Sequence, residues 1–253
     1  MSCVFTNDNN VSISLIDDPY SELLAGRDHH EILFRRINTL LIKDKIIKNN
    51  IVDSGAWIGD NSIPWAKNIN GIVYAIEPST VNCDFISRTC EHNKINNVKT
   101  MCVALSDKNE TLSTDDDIVH CTFVGFGENA KNKVSAFTLD YLYETREIDN
   151  IGYIHLDVEG MEHRVLQGSS KVIDEFRPII TYEQHINQND VKSLVEYLNG
   201  KNYISYMIDE ELPNCHLDCR NLIAFPAELY VDNIVAGINQ HMGFNILLTS
   251  IKV

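Results

Sequence analysis

The sequence predicts an α/β fold: a doubly wound, mostly parallel seven-stranded sheet with helices on both faces and an antiparallel C-terminal edge. Three observations predict it. Short apolar runs alternate with helix-like stretches along the chain. One such run, Ile51 to Asp53, ends in a turn carrying Gly55 and Gly59. Two late runs, YISYMI and NLIAFP, are placed to pair as an antiparallel unit.

In order, Asp28 to Lys48 reads as a helix, with Ile32, Leu33, Ile37, Leu40 and Leu41 near helical spacing and Asn49–Asn50 as the stop. The first core strand follows at Ile51 to Asp53. A helix at Asn61 to Asn68, a strand at Ile72 to Glu77 and a helix at Thr80 to Asn93 come next. VKTMCVAL reads as the third strand. Ser106 to Lys133 is polar and poorly periodic, so loops with short strands are expected. VSAFTLDYLYE opens a helix near Leu139. YIHLDV is a strand, Met161 to Gly168 a helix, and IITYEQH a strand after Pro178. Asp190 is placed to cap VKSLVEYLN, which Gly200 closes. Residues 227–253 read as a helix and a strand appended to the core domain of residues 27–226, and residues 1–26 as an N-terminal extension.

The 253 residues suffice for one large α/β domain, and 44% apolar residues are ordinary for a globular chain. The net charge of −15 disfavours nucleic acid and anionic membrane as partners. No stretch reaches the roughly 18 apolar residues of a membrane span, and the N-terminus lacks a secretory pattern, so a cytoplasmic location is expected. Seven cysteines without regular spacing fit reduced thiols. Cys215 and Cys219 flank His216 and Asp218, but no second pair faces them, and a structural role or free thiols is favoured over zinc.

The Asp53–Gly59 turn carries the first chemical signal. Gly55 and Gly59 let the backbone turn tightly and approach a ligand. Their spacing is not the G-x-G-x-x-G of a dinucleotide cradle. Asp53 would repel a pyrophosphate but suits the charged aminomethionine end of S-adenosylmethionine. Glu77, closing the next strand, is placed to accept ribose hydroxyls, a device NAD enzymes share.

The second signal is IHLDVEGMEHRVLQG. Asp157 closes a strand and Glu159, Glu162 and His163 follow. Glu183 and His185 close the next strand, so two adjacent strands deliver Asp157, Glu159, Glu183 and His185 to the same rim. His185 is a candidate general base because an imidazole titrates near neutrality. Alternatively, Asp157 and Glu183 hold Mg²⁺ beside the acceptor. His155 reads as a packing residue on the sheet face, and His163 and Arg164 as a solvated helical turn.

These residues resemble the FkbM-type methyltransferase family. The match runs through D-S-G-A-W-I-G, A-I-E-P, V-A-L-S-D, T-L-D, H-L-D-V-E-G-M-E-H-R-V-L-Q-G and R-P-I-I-T-Y-E-Q-H, from Glu31 to Pro226. Trp57 stands where the family most often has Asn. The resemblance implies a Rossmann-like fold and methyl transfer from S-adenosylmethionine, usually to a hydroxyl of a sugar, glycan or small metabolite. It implies Asp53, Gly55, Ala56, Trp57, Gly59, Glu77 and Pro78 for the cofactor. It also implies Ala104, Leu105 and Ser106 near the adenine, and Asp157 below the sulfonium.

Two rivals exist. Tyr197 and Lys201 spell Y-x-x-x-K, a pair found in nicotinamide-dependent oxidoreductases, although Gly200 interrupts it. A non-catalytic cofactor-binding or assembly module would keep the same fold. The apolar tail FNILLTSIKV is placed to pair with the sheet edge or with a second copy of the chain.

Overall fold

The computed structural model describes residues 4–6, 11–114, 132–185, 191–211 and 219–251. The strands in chain order are β1 (Val4–Thr6), β2 (Ser12–Ser14), β3 (Asn50–Ser54), β4 (Val73–Ile76), β5 (Val98–Met101), β6 (Ala104–Leu105), β7 (Glu110–Thr114), β8 (Asn132–Phe137), β9 (Ile151–Leu156), β10 (Ile179–His185), β11 (Tyr203–Ile208), β12 (Cys219–Pro226) and β13 (Leu248–Ser250). The helices are α1 (Tyr20–Ala25), α2 (Ile32–Lys43), α3 (Ser62–Asn68), α4 (Thr80–His92), α5 (Leu139–Glu144), α6 (Glu162–Gln167), α7 (Ser170–Phe176), α8 (Val191–Gly200) and α9 (Val231–Met242).

The main sheet is mixed, with eight strands in the order β13-β11-β12-β10-β9-β3-β4-β5. The expected count of seven is exceeded because β13, from the C-terminal tail, pairs antiparallel with β11. β10, β9, β3, β4 and β5 run parallel, whereas β12 and β11 add antiparallel ladders. From β3 the chain builds outwards through β4 and β5, then returns to place β9 on the other side of β3. The carboxyl ends of β3 and β9 therefore mark the switch point where such sheets bind ligands.

Side-chain alternation splits the core into two layers. Ile154 and Leu156 of β9 face α5, α6, α7 and α8, packing with Leu139, Val165, Leu166, Ile173 and Leu198. Tyr153, on the opposite face, packs with Phe34, Ile37 and Leu41 of α2, Trp65 of α3 and Ile238 of α9. A third cluster joins Leu24 of α1, Ile63 of α3 and Phe85 and Ile86 of α4. Burying an aliphatic or aromatic side chain is worth about 1.5–3 kcal/mol, so these layers supply the main driving force.

Several expectations shift on inspection. VKTMCVAL is not one strand: β5 ends at Met101, Val103 N–H turns back to the Met101 carbonyl, and Ala104–Leu105 join β8 and β7 in a separate three-stranded sheet. VSAF, expected to open a helix, lies in β8, and Thr138 caps α5 through Tyr141 N–H. YIHLDV begins and ends two residues late: β9 stops at Leu156, leaving Asp157 and Val158 in the loop. Asp190 and residues 115–131 lie outside the described residues.

Candidate active site

β3 ends at Ser54 and the chain turns at once. Gly55 has φ +82°, and a Cβ there would lie 1.8 Å from the Asp157 carbonyl oxygen. The turn thus touches the end of β9 backbone to backbone, and Asp157 N–H donates to the Ser54 carbonyl at 3.0 Å. Gly59, at φ +79°, packs instead against Ile63 and Ile86. It serves the turn and the helix contact and does not line the cavity.

A cavity of about 440 Å³ opens at this switch point. Asp53, Gly55, Ala56, Trp57, Glu77, Pro78, Ala104, Leu105, Asp157, Glu159 and Glu183 line it. Arg27, His30, Asp60, Asn61, Val103 and Met161, which no strand-end motif marks, also line it. Of the expected residues, Gly59 and Ser106 stand outside this lining. Ser106 is buried, its hydroxyl bonded to Asp107 and Glu110, which Arg164 binds in turn. Arg164 therefore ties α6 to the small sheet through two ion pairs. His185 occupies the last position of β10, opposite Cys219, and its side chain lies outside the described residues.

Glu77 directly follows β4 and is 5% exposed. Its Oε2 accepts the Trp57 N–H at 2.9 Å, and its Oε1 accepts the Ser79 N–H at 2.9 Å and Asn82 Nδ2 at 3.2 Å. Burial pushes its carboxyl up to about 7, against the lowering effect of these donors. Trp57 adopts φ +44°, and the Arg27 guanidinium lies 5.3 Å over its ring.

Asp53 reaches the cavity wall, yet its carboxylate is engaged from within. His155 Nδ1 lies 2.7 Å from one oxygen, and Ser62 Oγ donates to the other. Arg27 is held by Asp60 at 2.9 Å, and Arg35 Nη2 meets the same carboxylate at 2.7 Å. Glu31, at φ +53°, lies 3.6 Å from Arg27 and accepts Asn221 Nδ2 at 2.8 Å. The segment before α2 is in this way pinned to both β12 and the β3–α3 turn.

At the floor, Asp157 and Glu183 face the cavity together, close enough for the Glu183 charge to act on Asp157. Burial, followed by the neighbouring Glu183 charge, raises the Asp157 carboxyl well above its usual range. Cys219 Sγ also donates to Glu183. Glu159 is exposed at φ +53° on the cavity rim. Glu162 is buried; its Oε1 accepts the Val158 and Gly160 N–H groups at 3.3 and 3.2 Å, so it shapes the loop after Asp157.

No group of three or more His, Cys, Asp or Glu suited to a metal occurs among the described residues. Asp157 and Glu183 supply two carboxylates for the expected Mg²⁺, and no third such side chain joins them in a metal-suited group among the described residues. Cys215, His216 and Asp218 lie outside the described residues, and Cys219 is buried against Glu183. Tyr197 OH donates to the Leu166 carbonyl, and Lys201 Nζ to Ser170 and Asp174. Neither member of that Y-x-x-x-K pair lines the cavity.

The sheet order, with a cavity at its switch point, is that of the Rossmann-like methyltransferase fold. The family model described as the methyltransferase FkbM domain matches residues 53–205, and the chain belongs to that family. The methyltransferase FkbM from Methylobacillus flagellatus KT has the same fold at 16% identity and a TM-score of 0.54. The alignment covers 83% of this chain and 56% of that one, so this chain spans little more than half of that relative. Precorrin-6y C5,15-methyltransferase from Geobacter metallireducens GS-15 is similar at 14% identity and a TM-score of 0.47, covering 77% of this chain and 87% of that one. A Streptococcus mutans protein solved in complex with SAH is similar at 8% identity and a TM-score of 0.48, covering 76% and 95%. No curated protein matches. No helix among the described residues is long and apolar enough to cross a membrane.

The cofactor that the family implies fits the residues present. Glu77 offers a carboxylate at the β4 end, and Ala104 and Leu105 offer an apolar wall. The Asn61 side-chain carbonyl is buried in the cavity lining without a protein partner, ready for a donor such as an amino group.

Proposed function

We propose that this protein methylates a hydroxyl group of a sugar, glycan or small metabolite. One observation carries the reading: Asp157 and Glu183 line the same cavity as Glu77 and the Gly55 turn. When bound, S-adenosylmethionine supplies an electrophilic methyl group, and much of the remaining task is alignment. Glu77 and Asn61 would hold the cofactor, and Ala104 and Leu105 would exclude water from its base. An alcohol must also lose its proton. Asp157 and Glu183 both line the cavity, so a carboxylate is placed there to take the proton of the acceptor. The −15 charge favours a neutral acceptor over a polyanion.

The test is S-adenosylhomocysteine formation across a panel of sugars, polyols and simple amines. Turnover with a hydroxyl acceptor is expected. Turnover with amines alone would overturn the O-methylation reading and leave the methyltransferase class standing.

A further inference from the structure

We propose that Cys83 and Cys102 form a site of reversible oxidative modification, closing as an intramolecular disulfide beside Glu77. Ile76 pairs with Met101 in the β4–β5 ladder, so the next residues, Glu77 and Cys102, lie side by side. Backbone contacts place them there independently. Glu77 N–H donates to the Met101 carbonyl at 3.0 Å, and Cys102 is the next residue. Cys83 Sγ donates to the Glu77 carbonyl at 3.2 Å. Both cysteines therefore flank the backbone of Glu77, Cys102 on its N–H side and Cys83 at its carbonyl.

Their surroundings assign them different roles. Cys102 lies in the exposed turn after β5, whereas Cys83 lies in the first turns of α4 and is 3% exposed. Burial, then the Cys102 sulfur, pushes the Cys83 thiol up, so Cys83 alone is inert. A peroxide meets Cys102 first. The Cys102 thiolate attacks one peroxide oxygen; an S–O bond forms, the O–O bond breaks, and hydroxide leaves, giving a sulfenic acid. The Cys83 sulfur then attacks the Cys102 sulfur, the S–O bond breaks, and water leaves with the Cys83 proton. Two thiols lose two electrons and the peroxide gains them. The placement of both cysteines at the Glu77 backbone favours this second step over further oxidation of Cys102. Cys90 and Cys219 are both buried, so among the described cysteines Cys102 is the accessible one.

The bond would cross-link two walls of the cavity. Val103 and Ala104, directly after Cys102, line it, and Ser79 and Asn82 at the start of α4 hold Glu77 Oε1. Drawing these segments together shifts the partners of Glu77, so oxidation weakens cofactor binding. This consequence rests on the cofactor reading above; the disulfide itself does not.

The experiment treats the full chain with hydrogen peroxide, blocks residual thiols, and maps peptides by mass. Calorimetry with S-adenosylhomocysteine follows on the reduced and the oxidised protein. A Cys83–Cys102 peptide, reversed by dithiothreitol and absent from Cys102→Ser, is expected, with affinity about tenfold weaker after oxidation. Cys102 converted to sulfinate without the cross-link would overturn the site. The cross-link with unchanged affinity would overturn its coupling to the cofactor. A reduced protein that binds no S-adenosylhomocysteine yet forms the bond would overturn the cofactor reading and leave the modification site intact.

Discussion

His155 Nδ1 lies 2.7 Å from Asp53 Oδ1, across the β3–β9 pair and just before the Gly55 turn. The two residues are 2% and 1% exposed. Phe34 and Trp65 rings flank the imidazole at 5.2 and 5.4 Å. The acidic residue at the head of the cofactor turn thus joins two strands.

Removing one partner of this pair strands the other in the core. Asp53→Ala is expected to cost about 3–5 kcal/mol. Burial acts to lower the His155 pKa, but the Asp53 hydrogen bond and charge outweigh it and the net shift is upward. A raised folded value gives stability that is complete below the unfolded value, about 6.5, and lost as pH rises through the folded value. Denaturant melts of wild type and His155→Asn should differ more at about pH 6 than well above neutrality. A gap independent of pH would contradict the charged pair.

Glu77 gives the same sign for a different reason. Its folded value of about 7 lies above that of a free carboxyl, because burial disfavours the charge. Its contribution to stability is therefore lost as pH rises from about 4.5 through 7. Relative to Glu77→Gln, the wild type should lose on the order of 3 kcal/mol between about pH 5 and 8. Cofactor affinity should move the opposite way, since the ionised carboxylate is the better acceptor for hydroxyls. Parallel trends in melting and binding would contradict this assignment.

Gly55→Ala tests the contact between the turn and the end of β9. Its Cβ would overlap the Asp157 carbonyl, at a backbone angle that L residues rarely adopt. A loss of roughly 3 kcal/mol or more is expected in thermal melts, together with loss of S-adenosylhomocysteine binding. A variant as stable as wild type would refute the close approach.

Asp157→Asn should leave S-adenosylhomocysteine affinity within a few-fold while transfer falls about 10²- to 10⁴-fold. The measurement is the initial rate with an accepted hydroxyl compound beside calorimetry on the same preparation. Equal losses in binding and rate would move Asp157 from proton handling to cofactor holding.

Asp60 sits between Arg27 and Arg35. Burial acts to raise its carboxyl, but the two guanidinium charges outweigh it and hold it low. Its stabilisation is therefore present above about pH 4 and lost as pH falls through the folded value. Asp60→Ala should destabilise by about 3–5 kcal/mol and release Arg27 from the cavity wall, weakening S-adenosylhomocysteine binding several-fold. Unchanged melting would show that Arg35 and Arg27 find other partners.

What the sequence made legible follows from period and strand-end chemistry. The parallel block, the Gly55 turn, Glu77 and Asp157 with Glu183 are each announced by an apolar run ending in a small or acidic residue. β8 was hidden because VSAF is short and runs straight into the α5 cap. Arg27 and His30 reach the cavity only because the segment before α2 is pinned by Glu31, Asp60 and Asn221, contacts spanning much of the chain. No local pattern marks them. Gly59 carries the motif spacing but meets Ile63 and Ile86, which only the packing of α3 and α4 determines. Trp57 stood out as the departure within the motif, and its backbone N–H bonds directly to Glu77.

The central claim is a cofactor site organised by Glu77 at the β3–β9 switch point. Calorimetric titration with S-adenosylhomocysteine tests it most directly. A saturable one-to-one site is predicted, weakened at least tenfold by Glu77→Ala. No binding heat, or wild-type affinity in Glu77→Ala, would contradict it.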